Sequence, residues 1–269
     1  MLLMGILNVT PDSFYDGGKH IRVSRALAQA GKMVEEGADI LDLGGESSRP
    51  GAKPVSQGDE LRRILPVLRA LRKKFPTMPI SIDTRKAGVA QAALEEGANI
   101  LNDISALTHD PGMIAVAMRH KPKVILMHMK GNPRTMQRRA RYLDAVGEIK
   151  DFLASRMLWM MAQGFPKKNL VVDPGIGFGK TLHHNLKILY NVRKFGSLGV
   201  PVLIGASRKS FIGDLLSKGG RPLPAEERLE GSLAVALWCA QEKVSILRVH
   251  DVGATRRAIQ AFQTLSTGA

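Results

Sequence analysis

Eight apolar runs in this sequence each end on polar residues of kinds that do chemistry. The first ends at Asn8, the second at Asp42 with Glu46 beyond it, the third at Asp83, and the fourth at Asn102 and Asp103. The fifth ends at His128, the sixth at Asp173, the seventh at Ser207, Arg208 and Lys209, and the eighth at Arg248, His250 and Asp251. Capping of the following helices accounts for an aspartate such as Asp83, which precedes Thr84. It asks only for Ser, Thr, Asp or Asn, and leaves His128, Lys209, Arg248 and His250 unexplained. A shared pocket accounts for them all. Carboxylates and an amide at Asp83, Asn102 and Asp173 suit a ring with an amidine- or guanidine-like edge, since a carboxylate accepts two parallel N–H bonds. Lys209, Arg248 and His250 suit an anion such as phosphate, to which charge-assisted bonds are strong. The same acids and bases could instead satisfy one another in an internal salt-bridge network.

A glycine-rich segment, Pro174-Gly-Ile-Gly-Phe-Gly-Lys-Thr181, has the look of a phosphate loop. The pattern G-x-x-x-x-G-K-T fails because Pro174 stands at its first glycine, and G-x-G-x-x-G fails because Lys180 stands at its third. Neither a nucleoside triphosphatase nor a dinucleotide fold follows. His128 reads equally as a core histidine or a ligand contact, whereas His183 and His184 read as a solvated helix start.

These residues need a scaffold that brings strand ends together. The apolar runs are Leu2 to Val9, Ala38 to Leu43, Pro79 to Asp83, Ile100 to Ile104, Lys123 to His128, Leu170 to Asp173, Pro201 to Ile204 and Ser245 to Val249. Helical periodicity follows most of them. Val23, Ala26, Leu27, Ala30, Met33 and Val34 keep the i, i+3, i+4, i+7 spacing ahead of Gly37. Further helices are predicted over Glu60 to Lys74, Lys86 to Glu96, Tyr142 to Gln163, Leu186 to Phe195, Glu226 to Gln241 and Thr255 to Leu265. Eight βα units without a linker or a break in composition predict an α/β fold, a (β/α)8 TIM barrel in one domain over residues 1–269, in preference to a doubly wound sheet. The longest connections, Thr10 to His20, Gly44 to Gln57 and Met129 to Arg141, all follow strands, at the end of a barrel where catalysis is built.

At 269 residues and 44% hydrophobic content the chain can bury a large core. No apolar run reaches membrane-spanning length, the first strand has no basic flank, and Cys239 is the only cysteine, so a cytoplasmic protein with no membrane partner is expected. The net charge of +15 is regional: Arg119 to Lys168 holds 12 lysines and arginines against three acids. Only 5% of residues are aromatic, and they do not interleave with the basic run as stacking platforms would, so no nucleic acid partner is expected.

Taken together, these segments resemble the dihydropteroate synthase family. The matching stretches run from Met4 to Gly18, Asp42 to Ala52, Ser81 to Thr84, Leu101 to Asp103, Met127 to Met129, Asp173 to Lys180, Gly205 to Gly213 and Arg248 to Asp251, in family order. Two departures stand out, Ser48 where threonine is usual and Tyr15 where serine is common. The resemblance implies condensation of a dihydropterin methyl diphosphate with 4-aminobenzoate, releasing pyrophosphate. It implies that Asp83, Asn102, Asp173 and Lys209 hold the pterin, that Met127 and Gly205 flank it, and that Arg248 stacks on it and reaches the diphosphate with His250, Asn8 and Ser48. The resemblance further implies that Asn8 is the protein ligand of Mg2+, that Asp16 and Arg49 act with Lys209 in catalysis, and that Phe14, Pro50, Phe178, Lys209 and Ser210 frame the aminobenzoate. A homodimer is expected. Two other functions share the pocket, a cobalamin-dependent pterin methyltransferase and a non-catalytic pterin-binding relative.

Overall fold

A computed structural model describes residues 1–10, 19–48, 51–217 and 219–267. The chain alternates β1 (Leu2–Asn8), α1 (Lys19–Glu35), β2 (Ile40–Gly44), α2 (Gln57–Lys74), β3 (Ile80–Asp83), α3 (Ala87–Glu95), β4 (Ile100–Asp103), α4 (Met113–His120) and β5 (Lys123–Met127). It continues through α5 (Ala145–Ala162), β6 (Leu170–Asp173), α6 (Leu182–Tyr190), α7 (Arg193–Gly196), β7 (Leu203–Ile204), α8 (Ser210–Leu215), α9 (Leu229–Gln241), β8 (Ile246–Val249) and α10 (Val252–Thr267). All strands pair in parallel, in the order β6-β5-β4-β3-β2-β1-β8-β7. A single bridge between Val172 and Val202, with the Val172 amide donating to the Pro201 carbonyl at 3.0 Å, closes the cylinder. This is the predicted (β/α)8 barrel.

Most helices arise as their periodicity dictates. In α2, Ser56 caps the first turn by accepting from the Asp59 amide at 3.1 Å, and Ile64, Val67, Leu68 and Leu71 form the buried stripe. Three elements differ from the sequence reading. The helix α4 is too short to stand out by periodicity, although Met113, Val116 and Ala117 are buried as i, i+3, i+4. The segment expected as one helix from Leu186 starts earlier and divides into α6 and α7, and α8 follows β7 at once.

The inside of the barrel is built in layers. Met4, Ile40, Ile100, Ile125, Val171, Leu203 and Ile246 form a buried plug across the strands, with Ser81 at the same height on β3. Side chains alternate across a strand, so the next inward residue lies two positions on. Adding two at each plug position gives Ile6, Asp42, Asp83, Asn102, Met127, Asp173, Gly205 and Arg248. The pocket layer is the plug layer moved one pleat toward the strands' C-terminal ends.

Candidate active site

Charges that face one another dominate the floor. The Arg248 Nε donates to Asp42 Oδ2 at 2.6 Å and its Nη2 to Asp83 Oδ2 at 2.8 Å. Asn102 Nδ2 lies 3.4 Å from both oxygens of the fully buried Asp42. Burial pushes the Asp83 carboxyl up to about 7; Arg248 resists this, while the Asp42 charge adds to it. Burial disfavours the Arg248 charge, yet Asp42 and Asp83 hold its guanidinium above its ordinary range. The salt-bridge network foreseen as an alternative therefore exists around Arg248, and leaves other floor groups open.

One of these is Asp173. Its Oδ1 accepts from the Gly175 amide at 2.7 Å, and among the described residues no ion pair reaches its carboxylate. Burial raises its pKa, against the pull of Lys209. Gly205 supplies space: a Cβ there would lie 3.6 Å from the Arg248 Cβ and 4.0 Å from the Lys209 Nζ, so both side chains border the volume it leaves. Met127, Ile104, Met136 and Phe178 pack into an apolar wall on the facing side.

Lys209 joins the floor to that wall. It is the N-cap residue of α8, donates to the Ile176 carbonyl at 2.6 Å and sits 4.4 Å from the centre of the Phe178 ring. Burial depresses it to about 8. Ser210 next to it is exposed. His250 Nδ1 lies 3.1 Å from Ser207 Oγ. Ser48 lines a cleft with Glu46, Asp83, Arg85 and Pro133, and Glu46 anchors that loop through the Val55 amide, Arg85 and Lys86. The Asn8 side chain reaches the top of β1, its Oδ1 3.2 Å from where a Gly44 Cβ would stand. Phe14, Asp16, Arg49 and Pro50 lie outside the described residues, as does Tyr15.

Several strand-end residues serve the fold instead of the pocket. Asp103 turns back on its own loop, accepting from the Ser105 amide and hydroxyl and the Leu107 amide, and so holds Ala106 and Leu107 at φ 51° and 61°. Arg208, itself at φ 55°, makes a two-pronged pair with Asp251 at 2.7 Å on each arm and donates to the Ala225 and Glu226 carbonyls. His128 is a packed histidine, edge-on to Phe152 and 3.1 Å from the buried Lys180 Nζ; burial and that lysine depress it to about 3. His184 closes a capping box with Thr181 at the start of α6. Asp42, by contrast, reads in the sequence as one more strand-end acid, and in the structure it is a principal partner of Arg248. Its signal was available: it stands two residues beyond Ile40, as Asn102 does beyond Ile100.

Floor acids beneath a cationic side, an apolar wall and a glycine gap define a barrel enzyme for a flat polar ring joined to an anion. Residues 4–250 match the family model described as pterin binding enzyme. A dihydropteroate synthase of Haemophilus influenzae is 44% identical over 261 residues, covering 97% of this chain and 92% of that one. A Xanthomonas albilineans dihydropteroate synthase solved with 4-aminobenzoic acid is 43% identical with a TM-score of 0.90, covering 98% and 93% of the two chains. The same enzyme in complex with 7,8-dihydropteroate gives 41% and 0.86, with the same coverage. The chain belongs to the dihydropteroate synthase family of pterin-binding enzymes, transferases of an alkyl group other than methyl.

Proposed function

We propose that this pocket joins a (7,8-dihydropterin-6-yl)methyl diphosphate to 4-aminobenzoate, giving 7,8-dihydropteroate and pyrophosphate. The observation that carries the assignment of sites is the Asp173 carboxylate, outside the Arg248 network and in the same inward layer as the gap at Gly205. One oxygen is engaged by backbone, and the other is left for the amino-pyrimidine edge of the pterin. Asp83 and Asn102 take further ring polar atoms, Lys209 donates from the side, and Met127 and the Arg248 stem lie against the ring faces. The C–O bond to the diphosphate breaks first. Arg248, His250 and Ser48 face the charge that develops on the leaving group, so fixed electrostatics supply most of the rate. The aniline nitrogen of 4-aminobenzoate then attacks the methylene carbon and releases its proton, with no protein nucleophile. Phe178, Lys209 and Ser210 frame the aromatic acid. Asp16, Arg49, Phe14 and Pro50 take their parts in closing the site from the family resemblance.

Among the described residues no cluster of histidine, cysteine, aspartate or glutamate could cage a metal ion. A lone amide oxygen at Asn8 fits Mg2+, a hard cation that keeps waters and is held mainly through substrate phosphates. Bound there, it supplies further neutralisation of the leaving diphosphate. Pyrophosphate is therefore expected to raise the melting temperature in Mg2+ but not in excess chelator, and an equal shift in both would remove Asn8 from this role.

A homodimer is supported by the exposed apolar side of α6, where Leu186 and Tyr190, the latter 74% exposed, lie one turn apart and Tyr190 stacks on the half-buried Trp238 of α9. Sedimentation should give twice the mass of the chain, and Tyr190→Glu should halve it. The buried, unpaired Cys239, its thiol pushed up to about 12, suits the cytoplasm, and no described helix is long and apolar enough to cross a membrane. The decisive assay incubates the protein with the pterin diphosphate, 4-aminobenzoate and Mg2+, without cobalamin. Pyrophosphate and dihydropteroate in equal amounts are expected, and no product would overturn the reading.

A further inference from the structure

Three glycines in the left-handed region, Gly175, Gly177 and Gly179 at φ 70°, 82° and 66°, shape the segment between β6 and α6. A side chain at Gly175 would stand 2.0 Å from the His128 carbonyl oxygen, so this segment must pass hard against the end of β5. It is pinned throughout. The Gly175 carbonyl accepts from the Phe178 amide at 3.1 Å, Ile176 from Lys209 at 2.6 Å and Gly177 from the Gln137 side chain at 2.8 Å. Phe178 accepts from Lys180 at 3.0 Å and Gly179 from the Tyr142 hydroxyl at 3.1 Å.

The Lys180 contact is costly in a way the others are not. Lys180 is 3% exposed, and among the described residues no carboxylate forms an ion pair with it. Its ammonium meets three neutral acceptors instead: the Phe178 carbonyl, the His128 carbonyl at 3.3 Å and His128 Nδ1 at 3.1 Å. Burial drives the Lys180 pKa well below the ordinary lysine range, with only the through-space pull of Asp173 opposing it, so holding an amine here works against the fold where a methionine of similar length would fill the volume. The contact ties two segments at one point, the end of β5 and the backbone of Phe178.

We propose that Lys180 is a positioning residue for the second substrate, fixing the Phe178 backbone so that its ring stands ready between Met127, Met136 and the Lys209 ammonium. This rests on the reading that Phe178 frames 4-aminobenzoate. Asp173, which serves the first substrate, is oriented through the Gly175 amide at the other end of the segment and feels Lys180 only through space, as a nearby positive charge.

The test compares the wild-type enzyme with Lys180→Met and Lys180→Gln in steady-state condensation, varying each substrate in turn. The KM for 4-aminobenzoate should rise about tenfold in Lys180→Met, the size expected for one lost hydrogen bond to a charged donor, and less in Lys180→Gln, which keeps an N–H donor. The KM for the pterin diphosphate should move less, and by the same amount in both variants because both remove the charge near Asp173, while kcat stays within about twofold, a split that general loosening of the fold does not produce. A parallel rise in both KM values, no change in either, or failure of both variants to fold would overturn the assignment. Absence of condensation in the wild type would instead overturn the functional reading, before any variant is measured.

Discussion

The two rims of this barrel use charged side chains for opposite ends. At the base, arginines close backbone valences. Arg72 donates to the carbonyls of Gly97 at 2.6 Å and of Pro76 and Met78 at 2.9 Å, and Arg256 donates to the Gly37 carbonyl while pairing with Asp39. Asp39 in turn accepts from the Leu3 amide at 2.7 Å. The glycines there, Gly37 and Gly97, end α1 and α3 at φ 92° and 96°, and each arginine lies where a side chain would otherwise sit. At the mouth, Arg248, Asp83, Asp173 and Lys209 are crowded around Asp42 and shifted from their ordinary ionisation. The base spends its charges on stability, whereas the mouth pairs Arg248 with Asp42 and Asp83 and keeps the Asp173 carboxylate outside that network, within reach of a ligand.

The comparison breaks most sharply on one arginine from each rim. Arg248→Ala leaves Asp42 and Asp83 buried without their cation, a loss of about 3–5 kcal/mol, and is expected to abolish pterin binding and lower the melting temperature together. Arg256→Ala should lower the melting temperature by a few degrees and leave kcat/KM unchanged. If both variants lost activity equally, the division between rims would be wrong. Asp173→Asn comes next, with a loss of about 1.5–3 kcal/mol in pterin affinity and little change for 4-aminobenzoate, as read by calorimetry.

Asp83→Asn should stabilise the free enzyme while weakening pterin binding. The folded pKa of Asp83 is raised to about 7, so its contribution to stability is full below the unfolded value and is lost as pH rises through 7. At pH 8 the ionised group is a net cost. The gain in melting temperature should therefore be larger at pH 8 than at pH 5, about 2–4 °C for each kcal/mol recovered. The smallest effect concerns Lys209. Its folded pKa of about 8 lies below the unfolded value, so stability rises with pH above 8 as the neutral amine is favoured, while condensation declines as the donor charge is lost. Lys209→Arg should shift that alkaline limb upward in the pH profile of kcat/KM.

The sequence shows the barrel because apolar runs and helical stripes alternate, and it shows the pocket because polar residues stand at successive strand ends. It does not show which way those ends turn. Arg208, Asp251 and Asp103 occupy strand ends as Lys209, Arg248 and Asn102 do, yet a left-handed residue or a local turn directs them into the loops. Lys180 sits in a glycine-rich segment whose motif tests fail, and its burial depends on His128 and Phe178, contacts made only on folding. The brevity of β7, two residues, was equally invisible because Pro201 and Val202 read as strand.

That short strand gives the cylinder a seam. Between β6 and β7 one bridge holds the wall, whereas β1 and β2 share five paired positions. The seam divides Asp173 from Gly205 and Lys209, and the bond from Lys209 to Ile176 spans it. A ring gripped by Asp173 on one lip and Lys209 on the other therefore acts as a rivet. Hydrogen exchange at the Val172 amide should be the fastest among the barrel strands in the free enzyme, and should slow more than any other strand amide when pterin binds.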